Sequence, residues 1–418
     1  MRSYLTFAVR HRRFLGFGFT LLFFSSFGQT FFLSLFSAEI RGAFGLSHGS
    51  FGSLYSLATL ASGLTMLWLG RQIDRHELPR FTLGVCAGLV AAAFLMAWTP
   101  TVPLLVVALF TMRLTGQGLM GHTSSTSMAR YFEAGRGKAI SIATLGLPAG
   151  EATLPPIAVA VSAAIGWRTT WVVFALAIAV VLVPLVSWLL RGHSERHLAL
   201  QRGQAVDAAP AVPGQERVEP RRFHWTQRQV VGDARFWLVV PSITASAFLM
   251  TGFFFHQVHL VETKGWSLQW YSLCFSAFAA TQVGSGLVAG PLVDRFGAPR
   301  LLPFYLVPLA LAFLVLASLS HPATALGYLL LAGLSAGSSA TVGSALWAEA
   351  YGTVHLGAIR AMVSAMFVLS TAASPVLMGQ LIDAGVTMDA LARLGALYLV
   401  VAAGVGSLAF RGNVQRAP

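Results

Sequence analysis

The chain has 418 residues, of which 56% are hydrophobic and only 10% are charged, and its formal net charge is +13. This balance is too apolar for a soluble domain and indicates a polytopic membrane protein, with the lipid bilayer as its main partner. The basic residues lie in short gaps between apolar runs, where they act as topology signals, so we exclude nucleic-acid binding. Cys86 and Cys274 each lie inside an apolar run, which indicates small buried side chains and no disulfide.

Twelve apolar runs follow one another, each of about the 20 residues that a membrane-spanning helix needs. Arg10, Arg12 and Arg13 precede the first run, but that run is longer than the about 7–15 residues of a signal-peptide core, so it predicts a helix that is retained. The predicted helices of the first half are roughly 14–38, 50–69, 81–98, 103–129, 139–165 and 169–190. Those of the second half are roughly 236–261, 270–289, 301–319, 324–348, 358–382 and 389–410.

The basic residues are distributed unequally between the two sides of the predicted membrane. With both chain ends in the cytoplasm, Arg113 falls inside a span and most of the 28 Lys and Arg residues fall on the cytoplasmic side. The exceptions, on the outside, are Arg41, Arg168, Lys264 and Arg393. Because basic loops are retained in the cytoplasm, this pattern predicts an integral protein of the cytoplasmic (inner) membrane with both termini cytoplasmic.

The longest polar segment, residues 191–235, separates the sixth apolar run from the seventh. Its stretch QRGQAVDAAPAVPGQERVEPRR is rich in Pro, Gly and charge and cannot bury a core, so it predicts a flexible cytoplasmic linker. The predicted domains are therefore an N-terminal bundle at 1–190, a linker at 191–235 and a C-terminal bundle at 236–418.

The two halves contain a repeated pattern. Six residues of the first half, Gly70, Asp74, Arg75, Arg80, Gly137 and Pro155, recur at one constant offset as Gly290, Asp294, Arg295, Arg300, Gly357 and Pro375. A constant offset over six positions implies two related six-helix bundles in parallel orientation. The stretches GRQIDRHELPR (70–80) and GPLVDRFGAPR (290–300) are thus two copies of one charged hairpin.

These paired hairpins resemble the cytoplasmic hairpin of the major facilitator superfamily, whose pattern is G-x-x-x-D-R-x-G-x-x-R with variations. The resemblance extends to the twelve spans, the linker, RLTGQG in helix four and RYFEAGRGKA before helix five. It implies an all-α membrane protein of twelve transmembrane helices in two pseudo-symmetric six-helix bundles. The first hairpin departs from the pattern, with Glu77 where the second has Gly297, and we expect a looser turn there, bent by Pro79.

The resemblance also implies a conformational role for the hairpins. In the family the hairpin Asp joins the two bundles on the cytoplasmic side when the protein faces outward, and a carboxylate can accept hydrogen bonds from a helix N-terminus. For Asp74 the implied partners are the start of helix eleven and Arg130. The alternative is that these charges only orient the helices. We call the predicted set the inner latch: Gly70, Asp74, Arg75, Arg130, Gly290, Asp294 and Arg295.

Ionisable groups at membrane depth are the first candidates for chemistry, since each costs at least about 2.5 kcal/mol there. Arg113 lies about 15 Å from the outer end of helix four, and Glu151 about 18 Å from the inner end of helix five. Near the midplane they either form an ion pair, which could be purely structural, or share a site. Helical spacing puts Arg113, Gln117 and Ser124 on one face. RLTGQG resembles the helix-four motif of proton-coupled members, whose Arg serves proton coupling or holds an anionic substrate.

Other polar residues are further candidates for substrate binding or coupling. His256 and His259 share a face toward the outer end of helix seven, and a histidine pKa near neutrality suits proton or substrate binding; a hydrogen-bonded or rim histidine is the alternative. Gln29 and Gln282 are uncharged and suited to orienting a solute. The predicted set is Arg113, Glu151, His256, Gln29, Gln117, Gln282 and His259. The phenylalanine runs nearby are expected to be packing.

The sequence does not indicate a nucleotide site, a metal site or a catalytic site. Gly116, Gly118 and Gly121 spell G-x-G-x-x-G, but they lie inside an apolar span with no preceding strand. No third ligand is spaced to complete a metal site with the two histidines. The cytoplasmic loops contain no Walker A pattern, and no set of catalytic groups is visible. We therefore expect no cofactor, no metal and no enzymatic activity.

The sequence thus predicts a secondary active transporter for a small organic solute, working by alternating access as a monomer. RYFEAGRGKA and GEATLPP…GWR resemble the monocarboxylate and oxalate-type branches of the superfamily, which implies an organic anion. The helix-four resemblance adds the expectation of proton symport. One departure keeps alternatives open, because Gly286 stands where those carriers commonly hold an Arg. A second departure weakens an efflux function, because LGLPAGEATLPP differs from the G-P-x-x-G-G of drug–proton antiporters. Uptake of a neutral or aromatic vitamin-like solute, and efflux of drugs or metabolites, remain alternatives. A non-transporting sensor is disfavoured because neither linker nor tail is long enough for a signalling domain.

Overall fold

The computed structural model describes residues 2–132, 135–198 and 225–410, and these ranges contain helices but no strand. Twelve long helices carry the fold. The first half contains α1 (Arg12–Gly28 and Thr30–Phe44), α2 (His48–Leu69), α3 (Leu78–Trp98), α4 (Val102–Tyr131), α5 (Arg136–Ile165) and α6 (Trp167–Leu189). The second half contains α7 (Ala234–Phe255), α8 (Leu268–Phe296), α9 (Ala298–Ser318), α10 (Ala323–Tyr351), α11 (Leu356–Asp383) and α12 (Met388–Leu408). The predicted twelve-helix fold is confirmed.

Ten of these helices are long and apolar enough to cross a membrane, and α1 is an eleventh if its two bent pieces count as one span. The remaining helix, α2, has 22 residues but is rich in Gly, Ser and Thr. These small side chains allow close helix packing, because backbones can approach where side chains are short. A Cβ added at Gly52 would collide with the backbone of Pro375 in α11. The small side chains that lower the hydropathy of α2 therefore also allow it to pack closely against the other half of the protein.

Aromatic side chains fill much of the core, as the sequence predicts. Phe32 and Phe36 of α1 pack on Trp171 of α6 with ring centroids 5.9 and 5.1 Å apart, and all three side chains are buried. In the second half Phe253 of α7 packs on Phe313 of α9 at 4.4 Å. Such pairs join α1 to α6 in the first half and α7 to α9 in the second.

Several long helices contain irregular segments, and those in α1, α4 and α7 concern the contacts between the halves. Helix α1 bends by 47° at Gln29, whose backbone is extended. Helix α7 ends at Phe255, and after His256 the chain continues as the short helix Gln257–Thr263. Helix α4 widens to a π-helical segment at Arg113–Met120. The sequence predicts continuous helices here, since none of these positions carries a proline. Non-helical backbone at membrane depth is tolerated only where protein or a cavity satisfies it.

The two charged hairpins differ in backbone geometry. Helix α8 runs through its whole hairpin to Phe296 and stops at Gly297, whose φ of 81° is readily adopted only by glycine. In the first copy Glu77 occupies that position, and α2 ends earlier, at Leu69, followed by a tight 3-10 turn at Gly70–Asp74. Pro79 lies in the first turn of α3. It therefore starts that helix and does not bend the turn, which corrects the expectation for this residue.

The predicted linker, 191–235, falls mainly on residues 199–224, which lie outside the described residues. Its described flanks are helical at 193–198 and Gln227–Gly232. Helix α7 then begins at Ala234, where the Asp233 side chain accepts a hydrogen bond from the backbone N–H of Arg235. The domain boundaries at 190 and 236 stay a prediction.

Candidate functional site

A cavity of about 240 Å³ lies between the two halves, at the depth where α1 bends and α4 widens. Five of the predicted site residues line it: Gln29, Arg113, Gln117, Glu151 and Gln282. The first half supplies both charged groups of the wall. The second half supplies hydroxyl, amide and aromatic groups, among them Ser246, Thr251, Phe254 and Phe278. The wall is therefore polar and charged on one side and mainly neutral on the other.

Arg113 is buried, with 4% of its surface exposed. Its Nη1 donates to the backbone carbonyl of Gly28 at 3.1 Å and to the hydroxyl of Thr30 at 3.5 Å. The guanidinium carbon lies 5.1 Å from the centre of the Tyr55 ring. Its Nε has no hydrogen-bond partner. A guanidinium has five N–H donors, so neutral groups satisfy only part of it, and no carboxylate of the described residues balances its charge.

The bend in α1 and the widening of α4 together create this geometry. A Cβ at Gly28 would collide with the backbone of Gln117 and Gly116, so the glycine allows α1 to contact the π-helical segment directly. The Gly28 carbonyl at the bend is then available to Arg113. The predicted common face of Arg113, Gln117 and Ser124 is broken, because a π-helical turn changes the spacing of side chains. Ser124 is fully buried and donates to Gly18 in α1 instead.

Glu151 lies in the same cavity with 6% of its surface exposed, and its Oε2 has no hydrogen-bond partner. The described structure contains no ion pair between Glu151 and Arg113, because Arg113 is directed toward Gly28 and Tyr55. Of the sequence-based alternatives, the residues thus share one site and do not form a resting salt bridge. Gln282 of α8 also has a buried Oε1 without a partner. These unmatched donors and acceptors suit a polar ligand.

The two predicted histidines lie outside the cavity. His256 is buried, and its Nε2 lies 3.0 Å from the carbonyl of Pro375 in α11. His259 is partly exposed, and its ring centroid is 4.3 Å from that of His48 at the start of α2. No group of three potential metal ligands occurs in the described ranges. The placement of both histidines fits contacts between helices on the side where α1 joins α2, which we call the outer side.

The outer side contains a functional feature that the sequence analysis missed. Asp383 at the end of α11 accepts hydrogen bonds from the Ser47 hydroxyl at 2.6 Å and from the backbone N–H groups of His48 at 3.0 Å and Gly49 at 2.8 Å. A carboxylate at a helix N-terminus is stabilised by the free N–H groups and by the helix dipole. We call these four residues the outer contact. Predicting α2 to start at residue 50 concealed the N–H groups that Asp383 binds.

Further hydrogen bonds join the halves on the same side. Gln257 donates to Phe31 at 2.7 Å and to Ser34 at 2.8 Å, and Ser34 donates to Phe254 at 2.6 Å. Within the described residues, all hydrogen bonds between the halves lie between the outer ends of the helices and mid-depth; the others join Ser56 to Ala372 and Ser276 to Ala152. The protein is therefore closed on its outer side.

The residues predicted as the inner latch lie on the opposite side. Asp74 forms an ion pair with Arg130 of α4, and the Gly70 carbonyl lies 3.0 Å from Nε2 of His122. In the described structure Asp74 makes no hydrogen bond to α11. Arg75, Asp294 and Arg295 are exposed, while Gly290 lies within α8. An Asp74 that pairs with Arg130 but does not contact α11 fits a conformation that is closed on the outer side.

Replacing Asp74 with asparagine is expected to increase the outer-closed population and slow transport, with expression unchanged. The amide removes the charge that would bind the start of α11 in the alternate state and weakens the contact with Arg130. Double electron–electron resonance measures this as distances between spin labels on the two halves, placed on the side opposite the outer side. Glu77→Gln is the matched control, because Glu77 is an exposed carboxyl of the same hairpin that pairs only with the nearby Arg80 in the described structure. Unchanged distances in Asp74→Asn would remove the conformational role of this residue.

The chain matches the sequence profile of the Major Facilitator Superfamily over residues 18–270 and again over 246–416. No curated protein matches it significantly. A bacterial homolog of the human lysosomal transporter Spinster, in an inward-facing and occupied conformation, shares 14% identity with a TM-score of 0.66, covering 100% of this chain and 99% of that one. The nucleoside transporter NupG shares 15% identity with a TM-score of 0.67, covering 96% and 99%. At such identities the solved structures show the common fold alone.

The profile match covers nearly the whole chain, and the twelve helices and the cavity between two halves agree with it. This protein therefore belongs to the Major Facilitator Superfamily, and it is a membrane transporter and not an enzyme.

Proposed function

We propose that the protein is a secondary transporter that moves a small organic anion across the cytoplasmic membrane by alternating access. The observation that carries this proposal is Arg113, a buried guanidinium in the central cavity that pairs with no carboxylate in the described part of the chain. A buried cation is expensive unless an anion balances it. A carboxylate of the solute, bound by the planar guanidinium, supplies that anion.

The size and lining of the cavity support a small solute with an apolar body. Its 240 Å³ is below the roughly 300–1,000 Å³ of typical ligand pockets. Phe31, Phe254 and Phe278 provide aromatic surface beside the charged wall. A neutral aromatic solute is the second candidate, because the wall of the second half consists of hydroxyl, amide and aromatic groups.

The proposed transport cycle exchanges contacts on the two sides of the cavity. In the outer-closed state Asp383 binds the start of α2. In the opposite state Asp74 would bind the start of α11 and the outer contact would open. Since the basic residues favour cytoplasmic chain ends, the outer contact faces away from the cytoplasm. Both halves of the cavity come from one chain, which supports a monomer as the working unit.

Glu151 is the proposed site of proton coupling. Its carboxyl is buried in the cavity wall and forms no ion pair among the described residues, and a proton removes the cost of an unbalanced charge there. When an anion binds Arg113, a proton on Glu151 keeps the total charge of the cavity unchanged. We therefore propose symport of the anion with a proton.

Uptake of radiolabelled benzoate and lactate into proteoliposomes tests this function. In the wild type we expect uptake driven by an imposed proton gradient and abolished by a protonophore. Glu151→Gln is expected to bind solute with near wild-type affinity but to lose the dependence on the gradient, because an amide does not exchange a proton. Glu262→Gln, an exposed carboxyl on the outer side, is the control. Wild-type uptake that ignores the gradient, or a Glu151→Gln variant that still follows it, would contradict proton coupling through Glu151.

A further inference from the structure

A second group of cations lies far from the cavity, where the cytoplasmic ends of α1, α4 and α6 meet around Phe14. The guanidinium carbon of Arg196 lies 4.1 Å from the centre of the Phe14 ring. The His193 ring centroid lies 5.8 Å from Phe14 and 4.9 Å from Tyr131 at the end of α4. Arg13, next to Phe14, donates to the carbonyl of Trp188 in α6 at 2.6 Å. We call Arg13, His193 and Arg196 the basic cluster.

The nitrogen atoms of this cluster are only partly satisfied by the protein. Nε of Arg13, Nη1 of Arg196 and Nδ1 of His193 are buried and have no hydrogen-bond partner. His193 has 5% of its surface exposed. No carboxylate in the described ranges pairs with either arginine. Buried polar groups are normally paired, so three unmatched nitrogens in one place indicate a missing partner.

Electrostatics add a second argument for a missing anion. Burial lowers the pKa of the Arg196 guanidinium, and the nearby charge of Arg13 lowers it further. Burial, followed by the charge of Arg196, lowers the pKa of His193 to about 4, so this ring is neutral at pH 7 and Nδ1 can still donate. Two like charges are thus held together, and no carboxylate of the described residues pairs with them. An anion from outside the chain would balance both.

We propose that the basic cluster binds the phosphate group of an anionic lipid of the cytoplasmic leaflet. Two guanidiniums and a ring nitrogen match the oxygen atoms of a phosphate. The cluster lies just inside the start of α1 and just after the end of α6, which is the depth of the lipid headgroups. Trp188, 48% exposed at the end of α6, is the kind of aromatic residue that lies at this depth. Free phosphate shares the chemistry, but this position favours a lipid.

The bound lipid would connect three helices of the first half. Its phosphate would join α1 to the segment after α6, and His193 packs on Tyr131 of α4. Tyr131 follows Arg130, which pairs with Asp74. Anionic lipid would therefore stabilise the helix end that carries part of the predicted inner latch. This site does not depend on the proposed solute.

Titrating the purified full-length protein in detergent tests the proposal with three probes: phosphatidylglycerol, phosphatidylcholine and inorganic phosphate. Native mass spectrometry measures bound lipid, and thermal unfolding measures the gain in Tm. We expect phosphatidylglycerol to bind and raise Tm more than phosphatidylcholine. Arg13→Gln and Arg196→Gln should each weaken its binding about tenfold, because each removes a charge-assisted contact. Arg196→Lys should retain part of the binding, since it keeps the charge.

Arg191→Gln is the matched control, because Arg191 is exposed in the same segment but outside the cluster. Its lipid-dependent gain in Tm should equal that of the wild type. If Arg196→Gln does not fold, Arg13→Gln and Arg196→Lys give the same comparison. Full lipid binding in these variants, or an equal loss in Arg191→Gln, would overturn the proposal. A response to inorganic phosphate equal to that of the lipid would overturn the lipid as its source and assign the site to a soluble phosphate.

Discussion

Replacing Arg113 with lysine is expected to lower the affinity for a carboxylate solute by about tenfold to a hundredfold while the protein still folds. Lysine keeps the positive charge, but a point charge cannot reproduce the planar two-pronged contact of a guanidinium with a carboxylate. The single nitrogen of lysine also cannot contact the Gly28 carbonyl, the Tyr55 ring and a bound solute at the same time. Isothermal titration of the purified protein with benzoate measures the change.

The control for this prediction is Arg168→Lys, the same substitution outside the cavity, where Arg168 donates to the carbonyls of Ala97 and Thr99. It should leave benzoate affinity unchanged. Arg113→Ala should weaken binding further, because the charge is then lost as well. Wild-type affinity in both Arg113 variants would reduce this residue to a structural role between α4 and α1.

Removing the carboxylate of Asp383 is expected to open the outer side of the protein. Asp383→Ala deletes three hydrogen bonds between the halves, two of them to the N-terminus of α2. Hydrogen bonds to a charged group contribute about 1.5–3 kcal/mol each. Losing them should therefore shift the equilibrium between outer-closed and outer-open states by about tenfold or more.

Spin labels on Ala43 and Gln269 measure this opening, because both residues are exposed near the outer ends of opposite halves. The native cysteines, Cys86 and Cys274, are buried and do not compete for the label. Asp389→Ala is the control, since Asp389 pairs with Lys264 within the second half at 2.7 Å. Asp383→Ala should show longer label distances than the wild type and the control. The same distances in all three proteins would show that the outer contact does not hold the halves together.

Two carboxylates on one pair of helices agree with the proposed alternating access. Asp74 follows the end of α2 and is predicted to bind the start of α11. Asp383 ends α11 and binds the start of α2. The same pair of helices thus carries one carboxylate on each side of the membrane. Only one of the two contacts forms in the described structure, as a carrier open to one side at a time requires.

Most of the fold could be predicted because the apolar runs are long and the charged hairpins between them are short. The bend at Gln29 and the break at His256 could not be predicted, since each lies within a strongly apolar run and has no proline next to it. Both depend on contacts with other helices: Gly28 packs against α4, and His256 binds a carbonyl of α11. Local sequence carries no signal for such partners.

The candidate site was predictable for a related reason. Arg113 and Glu151 stand out as charges inside apolar runs, and Gln29, Gln117 and Gln282 as amides, so their common location follows from their depth. Their depth does not predict which groups these side chains contact. Tyr55 was missed because a tyrosine in a small-residue helix resembles packing, yet its ring faces Arg113 and its hydroxyl lies 2.8 Å from that of Thr30. Asp383 was missed because two of its three hydrogen-bond partners are backbone N–H groups.

Counterflow into liposomes is the most direct test of the central claim, that a carboxylate-bearing solute binds at Arg113 and is carried across the membrane. Liposomes containing the purified protein are preloaded with unlabelled benzoate, and entry of radiolabelled benzoate is followed over time. The neutral isostere benzamide is tested in parallel. We predict transient accumulation of benzoate by the wild type, no accumulation of benzamide, and loss of the benzoate signal in Arg113→Ala. Equal exchange of benzoate and benzamide, or benzoate exchange that persists in Arg113→Ala, would contradict the account.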